Sequence, residues 1–338
     1  MSSRFEKLFM VAEMSCNHGG SLERACKIIE QAASHDANAV KIQVYSPDEM
    51  TLPTAKVQIK SGLWAEKNLY SIYQDAQTPV EWLPTLFKCA EDHKILLFAS
   101  PFSSNGVAML EKFNCPIYKI ASFEITHLPL IKAAALTKKP LIISTGMSNT
   151  NDIDDAVMTA RLNGNPELAL LKCVSEYPAN PKNFNLATIP EMKHRWQTHV
   201  GLSDHSTHVG ISAAAVAFGA TIIEKHFTLD DGLVTLDSEF SLTPKQFQDL
   251  RIQCAAAKAA VGQIKFGATL GEETNLRRTI YAIKDIEQGE RFSSENIAVL
   301  RPFSNSGIHP KFYESMIQTD TAKNRIYAGN TVSWEDVK

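Results

Sequence analysis

Short runs of β-branched and apolar residues recur along the chain, and each is followed by a stretch whose apolar positions repeat at helical spacing. The strand-like runs are FMVAEMS (9–15), NAVKIQVY (38–45), ILLFASP (95–101), IYKIAS (117–122), PLIISTG (140–146), LALLKCV (168–174), HVGLSDH (199–205) and TIIEKHFTL (221–229). Between them lie amphipathic stretches such as SLERACKIIEQAASH, PVEWLPTLFKCAEDH and NDIDDAVMTARLN. Trp82 and Phe87 fall at helical spacing and are expected in the core. Strands alternating with helices pair in parallel. Eight such units in about 260 residues predict an α/β fold, a closed (β/α)₈ TIM barrel. An open doubly wound sheet is the alternative, and it is disfavoured because no GxGxxG turn follows the first strand. After residue 265 the rhythm breaks. The expected organisation is a barrel over 1–265, a linker over 266–278 that includes FGATLGEETN, and a small domain of short strands and turns over 279–338.

A barrel strand covered on both faces is expected to be nearly all apolar. These strands carry polar residues towards their C-terminal ends, the end at which TIM barrels build active sites. Alternation puts Glu13 with Ser15, Lys41 with Gln43, Ser203 with His205 and Glu224 with His226 on shared faces. Lys119, Ser122, Glu124 and Ser144 join the rim. One such residue alone would read as a structural ion pair or a hydrogen-bonded core histidine. So many at the same ends of different strands point to a pocket, because unpaired buried charge costs several kcal/mol per group. His205 and His226 end neighbouring strands and could hold one divalent ion with coordination positions open. Lys225 should face away from Glu224 and His226, which speaks against a Schiff-base role. Cys173 reads as a buried thiol rather than a nucleophile.

The 338 residues are 44% hydrophobic and 21% charged, with net charge −3. That balance offers no basic surface for nucleic acid, and no apolar run is long enough to span a bilayer. The N-terminal MSSRFEKLFMVAEMS lacks the apolar core of a signal peptide. Six scattered cysteines without a CxxC pair argue against a zinc ribbon or disulfide framework, so reduced thiols and a cytoplasmic location are expected.

The segments AEMSCNHGGSLERA, NAVKIQVY, YKIASFEI, IISTGMS, CVSEYPA, VGLSDHS, EKHFTLD and RPFSNSGIHP resemble, in order and spacing, the motifs of the sialic acid synthase family. The segment from Thr279 resembles that family's small antifreeze-like (SAF) domain, of β-clip type. Within the family, LWAEKNLYSIY, ASFEI and LDSEFSL resemble the pseudaminic acid synthase branch. The resemblance implies condensation of phosphoenolpyruvate with an acylated amino-hexose, here 2,4-diacetamido-2,4,6-trideoxy-L-altrose. Carbon–carbon bond formation is followed by C–O cleavage, giving a nine-carbon 2-keto acid and phosphate. Sialic and legionaminic acid synthases share the mechanism and are the nearest alternatives. A Schiff-base aldolase and a catalytically inert sugar- or ice-binding protein are more distant ones.

Under that resemblance Lys41 and Lys119 neutralise phosphoenolpyruvate, while Ser100, Ser122, Ser144 and Ser203 donate hydrogen bonds to it. His205 and His226 hold Mn²⁺ or Mg²⁺, and Glu224 is a partner orienting the metal site. Glu13 positions or deprotonates the attacking water. Gln43, Glu124, Tyr177 and Asp237 hold sugar hydroxyl or N-acyl groups. A homodimer is implied in which Arg301 reaches the partner's site, and a C-terminal domain of this size is expected to bury little core alone. Cys16 before Asn17, Gly19 where many relatives have Asn, and the loop DDGLVTLDSEF depart from the family pattern and bear on sugar specificity.

Overall fold

The structure is a computed structural model that describes residues 4–54, 68–165, 167–269, 271 and 273–338. Its described residues fall into two compact units, Met1–Gly262 and Gln263–Lys338. The first is the expected closed parallel barrel. Its strands are β1 (Phe9–Glu13), β2 (Ala39–Val44), β3 (Leu96–Pro101), β4 (Tyr118–Ile120), β5 (Leu141–Ser144), β6 (Leu168–Cys173), β7 (His199–Asp204) and β8 (Ile222–His226). The barrel closes where β1 pairs with β8.

Local sequence explains the outer helices. Ser21 caps the helix Leu22–Ser34 by accepting from the Arg24 amide at 3.2 Å. That helix turns Ala25, Ile28, Ile29 and Ala32 onto the barrel. Pro84 lies in the first turn of the helix Leu83–Asp92, where its missing N–H costs nothing. Trp82 and Phe87 pack against the core, as their spacing predicts. Among the described residues no helix is long and apolar enough to cross a membrane.

Register decides which side chains meet. Glu13 lies opposite Lys41 on one side and His226 on the other. Gln43 is level with Ser100, and Ser203 with Glu224. Gly201, in the GLSDH segment, permits the close approach of β7 to β8, because a Cβ there would fall 2.3 Å from the Ile222 carbonyl oxygen. Several predicted strands ran too far. Ser15 belongs to a 3₁₀ turn (Ser15–His18) with φ +46°, and Ser122 and Glu124 to another (Ser122–Glu124). Alternation therefore does not apply to those three residues.

The second unit contains the antiparallel pair β9 (Thr279–Ala282) and β10 (Ile297–Leu300) and the helix Tyr313–Thr319. The expectation that it buries little core is corrected: Ile280, Ile286, Phe292, Ile297, Met316 and Val332 form a buried cluster of its own. The linker segment FGATLGEETN includes Leu270 and Glu272, and LWAEKNLYSIY begins with residues 63–67, all of which lie outside the described residues. The described end of the latter forms the helix Leu69–Ala76, capped by Asn68.

Candidate active site

The C-terminal ends of the strands enclose a cavity of about 740 Å³. Of the residues singled out in the sequence, Glu13, Ser15, Lys41, Gln43, Lys119, Ser122, Glu124, Ser144, Tyr177, Ser203, His205, Glu224, His226 and Asp237 line it. Ser100 stands behind them and accepts from Lys41 Nζ at 3.3 Å. Arg301 is exposed in the second unit, where its Nε donates to the Leu276 carbonyl.

A buried ionic network forms the floor. Glu224 Oε1 lies 3.3 Å from Lys119 Nζ and 3.7 Å from Lys41 Nζ, and it accepts from Ser203 Oγ at 3.2 Å. Lys41 also pairs with Glu13 Oε2 at 2.8 Å. Gln43 Nε2 donates to Glu13 Oε1 at 2.9 Å and to Ser15 Oγ at 3.1 Å. Burial pulls Lys41 down, but the charges of Glu13 and Glu224 outweigh it and raise its pKa. Lys119 ends lower than usual, because burial, with Lys41 adding to it, exceeds the help of Glu224. Burial pushes Glu224 up, yet the two lysines hold it down at about 2. The carboxylate expected to orient a metal site is thus placed elsewhere, as the shared counter-ion of both lysines.

The network leaves acceptors and donors over. Glu224 Oε2, Glu124 Oε2 and Ser144 Oγ are buried without a hydrogen-bond partner. Orphaned polar atoms lining a cavity are what a polar ligand would satisfy. Gly146 lies close by: its amide donates to Ser122 Oγ at 3.1 Å, and a Cβ there would fall 2.3 Å from Ser175 Oγ.

Across the cavity the two imidazoles meet with ring centroids 5.3 Å apart. His205 Nδ1 is 2.9 Å from the Val174 carbonyl oxygen. His226 Nδ1 is 3.3 Å from Asp237 Oδ2, a contact that lies off hydrogen-bond geometry. Each Nδ1 therefore faces a protein oxygen, which makes Nε2 the nitrogen each ring can offer to a metal. Among the described residues no group of three or more His, Cys, Asp or Glu side chains has metal-binding geometry, so the protein's share would be two ligands. Asp237, expected to hold the sugar, is the carboxylate that faces a histidine. His226 draws it below the usual range against the pull of burial. Cys173 lies under His205, with Sγ 4.0 Å from Nδ1, and this neighbour overcomes burial to bring the thiol down to about 7. Lys225, on the opposite face of β8, is fully buried in a pair with Asp204 at 3.1 Å, where Schiff-base chemistry has no access.

The sequence reading missed two groups of residues. Asn17 ties β1 to the loop beyond β8, donating to the Phe227 carbonyl at 3.0 Å and to Ser241 Oγ at 2.8 Å. Tyr45, Tyr73 and Phe102 pack edge to face and wall one side of the cavity. Asn17 stands inside a quoted motif, but its partners lie more than 200 positions away.

The sequence model of the NeuB family matches residues 28–266, and that of the SAF domain matches residues 277–338. The chain belongs to the NeuB family. It is 40% identical over 323 residues to the pseudaminic acid synthase of Campylobacter jejuni, covering 94% of each chain. It is 37% identical to the pseudaminic acid synthase of Helicobacter pylori, covering 97% of each. Among solved structures, the N-acetylneuraminic acid synthetase of Leptospira borgpetersenii aligns with TM-score 0.72 and 32% identity over 79% of this chain and 90% of that one. In this NeuB-family chain the two motifs that carry the histidines, GLSDH and IEKHFTLD, supply adjacent strands of one cavity.

Glu124 gives this site a pH signature. Burial lifts its carboxyl to about 7, against the pull of Lys119. Below that pH it is protonated, and above that pH it is a full carboxylate whose unpartnered Oε2 is open to the sugar-binding role expected of it. The apparent KM for the sugar should fall about fivefold between pH 6 and 8, the difference between a neutral and a charged hydrogen bond. Glu124→Gln should hold KM high and flat across that range. Steady-state kinetics in which the variant keeps the wild-type slope would refute this role.

Proposed function

We propose that this chain is a pseudaminic acid synthase. It condenses phosphoenolpyruvate with 2,4-diacetamido-2,4,6-trideoxy-L-altrose to give pseudaminic acid and phosphate. The observation that carries the reading is the pair Lys41 and Lys119, buried on the cavity floor and joined through Glu224, in a chain that matches pseudaminic acid synthases from end to end.

Phosphoenolpyruvate carries up to three negative charges. Lys41 and Lys119 neutralise it, Ser122, Ser144 and Ser203 line the same floor to bond its oxygens, and Ser100, behind them, supports Lys41. Its C3 bonds to the aldehyde C1, and the aldehyde oxygen takes up a proton. Water then adds to C2, with Glu13 accepting the water's proton beside Lys41. The C2–O bond breaks, phosphate departs with the bridging oxygen and the proton of the new C2 hydroxyl, C2 becomes a ketone, and the proton taken by Glu13 makes good the one consumed at the aldehyde oxygen. Gln43, Glu124 and Tyr177 surround the sugar, while Asp237 faces His226. A divalent ion, Mn²⁺ or Mg²⁺, held by His205 and His226, supplies Lewis-acid polarisation of the aldehyde. The cytosol is the compartment of this reading, in keeping with six free cysteines.

The sugar is tested by phosphate release from phosphoenolpyruvate with Mn²⁺ across a panel of acceptors. The L-altro sugar should turn over faster than its D-manno isomer and faster than N-acetylmannosamine. Chelator should abolish release, and borohydride should trap no lysine adduct. Faster turnover of either other sugar would move the chain to the legionaminic or sialic branch.

The same reading includes a barrel over 1–265, a linker over 266–278 and an SAF domain over 279–338. It also includes a homodimer in which one subunit's SAF domain lies over the other's cavity and brings Arg301 to the N-acyl carbonyl of the sugar. Refolding His205→Ala and Arg301→Ala subunits together tests this. If Arg301 acts in trans, a mixed dimer has one intact site and activity returns. A mixture that stays inactive while dimers form would exclude the exchange.

A further inference from the structure

Two of the sequence features that depart from the family pattern meet in space. Gly19 has φ +57°, and a Cβ on it would fall 2.8 Å from Leu233 Cδ2 in the loop DDGLVTLDSEF. That loop runs from Thr228 to Ser241 and is tied back to the end of β1 at several points. Asn17 Nδ2 donates to Phe227 O at the loop's start and to Ser241 Oγ at its end. Asn17 Oδ1 accepts from Thr235 Oγ1 in its middle. Ser241 Oγ in turn donates to the Asp237 carbonyl at 2.6 Å, and the Thr235 amide donates to Ser238 Oγ at 2.8 Å. Arg24 supports the same anchor: Nε donates to the Asn17 carbonyl at 2.8 Å, and the guanidinium pairs with Asp231.

One buried amide therefore uses both donors and its acceptor on a single loop. The residue the loop delivers is Asp237, whose carboxylate lies 3.3 Å from His226 Nδ1. Asp237 is itself nearly fully buried, so its approach to the imidazole depends on how the loop is seated. We propose that Asn17 and Thr235 form a positioning clasp that seats this loop, sets Asp237 against His226 and thereby fixes the orientation of that imidazole. Neither residue need touch substrate. A carboxylate behind a metal-ligating histidine fixes its ring and tautomer, and loss of such a partner weakens metal binding by about 10- to 100-fold.

Thr235→Val keeps the shape and removes the hydroxyl, and Thr235→Ser keeps the hydroxyl. The inference rests on the synthase reading for its kinetic arm, so Mn²⁺ binding by titration calorimetry is measured beside kcat. Thr235→Val should weaken Mn²⁺ binding about tenfold and lower kcat with the KM for phosphoenolpyruvate unchanged. Thr235→Ser should restore both. In an Asp237→Asn background Thr235→Val should add nothing, because its effect passes through that carboxylate. Gly19→Asn, which pushes on Leu233 and leaves every clasp group intact, should reproduce the Thr235→Val pattern. Multiplying losses in the double variant, a parallel rise in the KM for phosphoenolpyruvate, or a wild type that binds no Mn²⁺ would each overturn the clasp. A wild type that binds Mn²⁺ but releases no phosphate from any acceptor would instead sink the synthase reading, and the binding cycle would still judge the clasp.

Discussion

Two ammonium groups share one carboxylate oxygen on the floor of the barrel, and the site is organised around that contact. Lys41, Lys119 and Glu224 are all almost wholly withdrawn from water. An isolated charge in such a place would cost several kcal/mol. Glu224 Oε1 offsets both lysines at once, and Glu13 completes the balance of two positive and two negative groups. The register makes this possible, because β1 sets Glu13 level with Lys41 and β8 sets Glu224 level with Ser203. The charges are paired, and Ser144 Oγ remains as a buried hydroxyl without a hydrogen-bond partner. In the proposed reading Lys41 and Lys119 meet the anion with their side chains already oriented when it arrives.

The opposite side of the cavity is built on different terms. His205 and His226 are fixed through their Nδ1 atoms, one by a backbone carbonyl at the end of β6 and the other by a loop carboxylate. The first support is part of the barrel. The second depends on a loop that Asn17 and Arg24 hold down. The two halves of the site still share strands, because β8 carries both Glu224 and His226, and β7 carries Ser203 and leads into His205.

The barrel was legible because strand and helix periods differ and the chain alternates between them. Lys41, Gln43, Ser203, Glu224 and His226 were placed by period-two alternation because they lie within or at the end of real strands. Ser15, Ser122 and Glu124 also reach the cavity, but from 3₁₀ turns; alternation named Ser15 for a reason the backbone does not support, while Ser122 and Glu124 were read only as rim residues at and beyond the end of a strand. The roles of Glu224 and Asp237 were not legible. The family resemblance implied that Glu224 orients the metal site, but its side chain reaches Lys41 and Lys119. Asp237 reaches His226 only through a loop whose seating depends on Asn17, a contact across more than 200 positions that no local pattern carries. The core of the C-terminal unit was underestimated because its apolar residues come from short, widely spaced segments rather than from one periodic element.

The central claim is that the lysine pair binds the phosphoenolpyruvate and leaves the sugar to other groups. Steady-state kinetics of Lys41→Met and Lys119→Met, with each substrate varied in turn, tests it most directly. Each variant loses a charge-assisted contact of roughly 1.5–3 kcal/mol, so the KM for phosphoenolpyruvate should rise by about one to two decades while the KM for the sugar stays near its wild-type value. Equal increases for both substrates, or a larger one for the sugar, would contradict it.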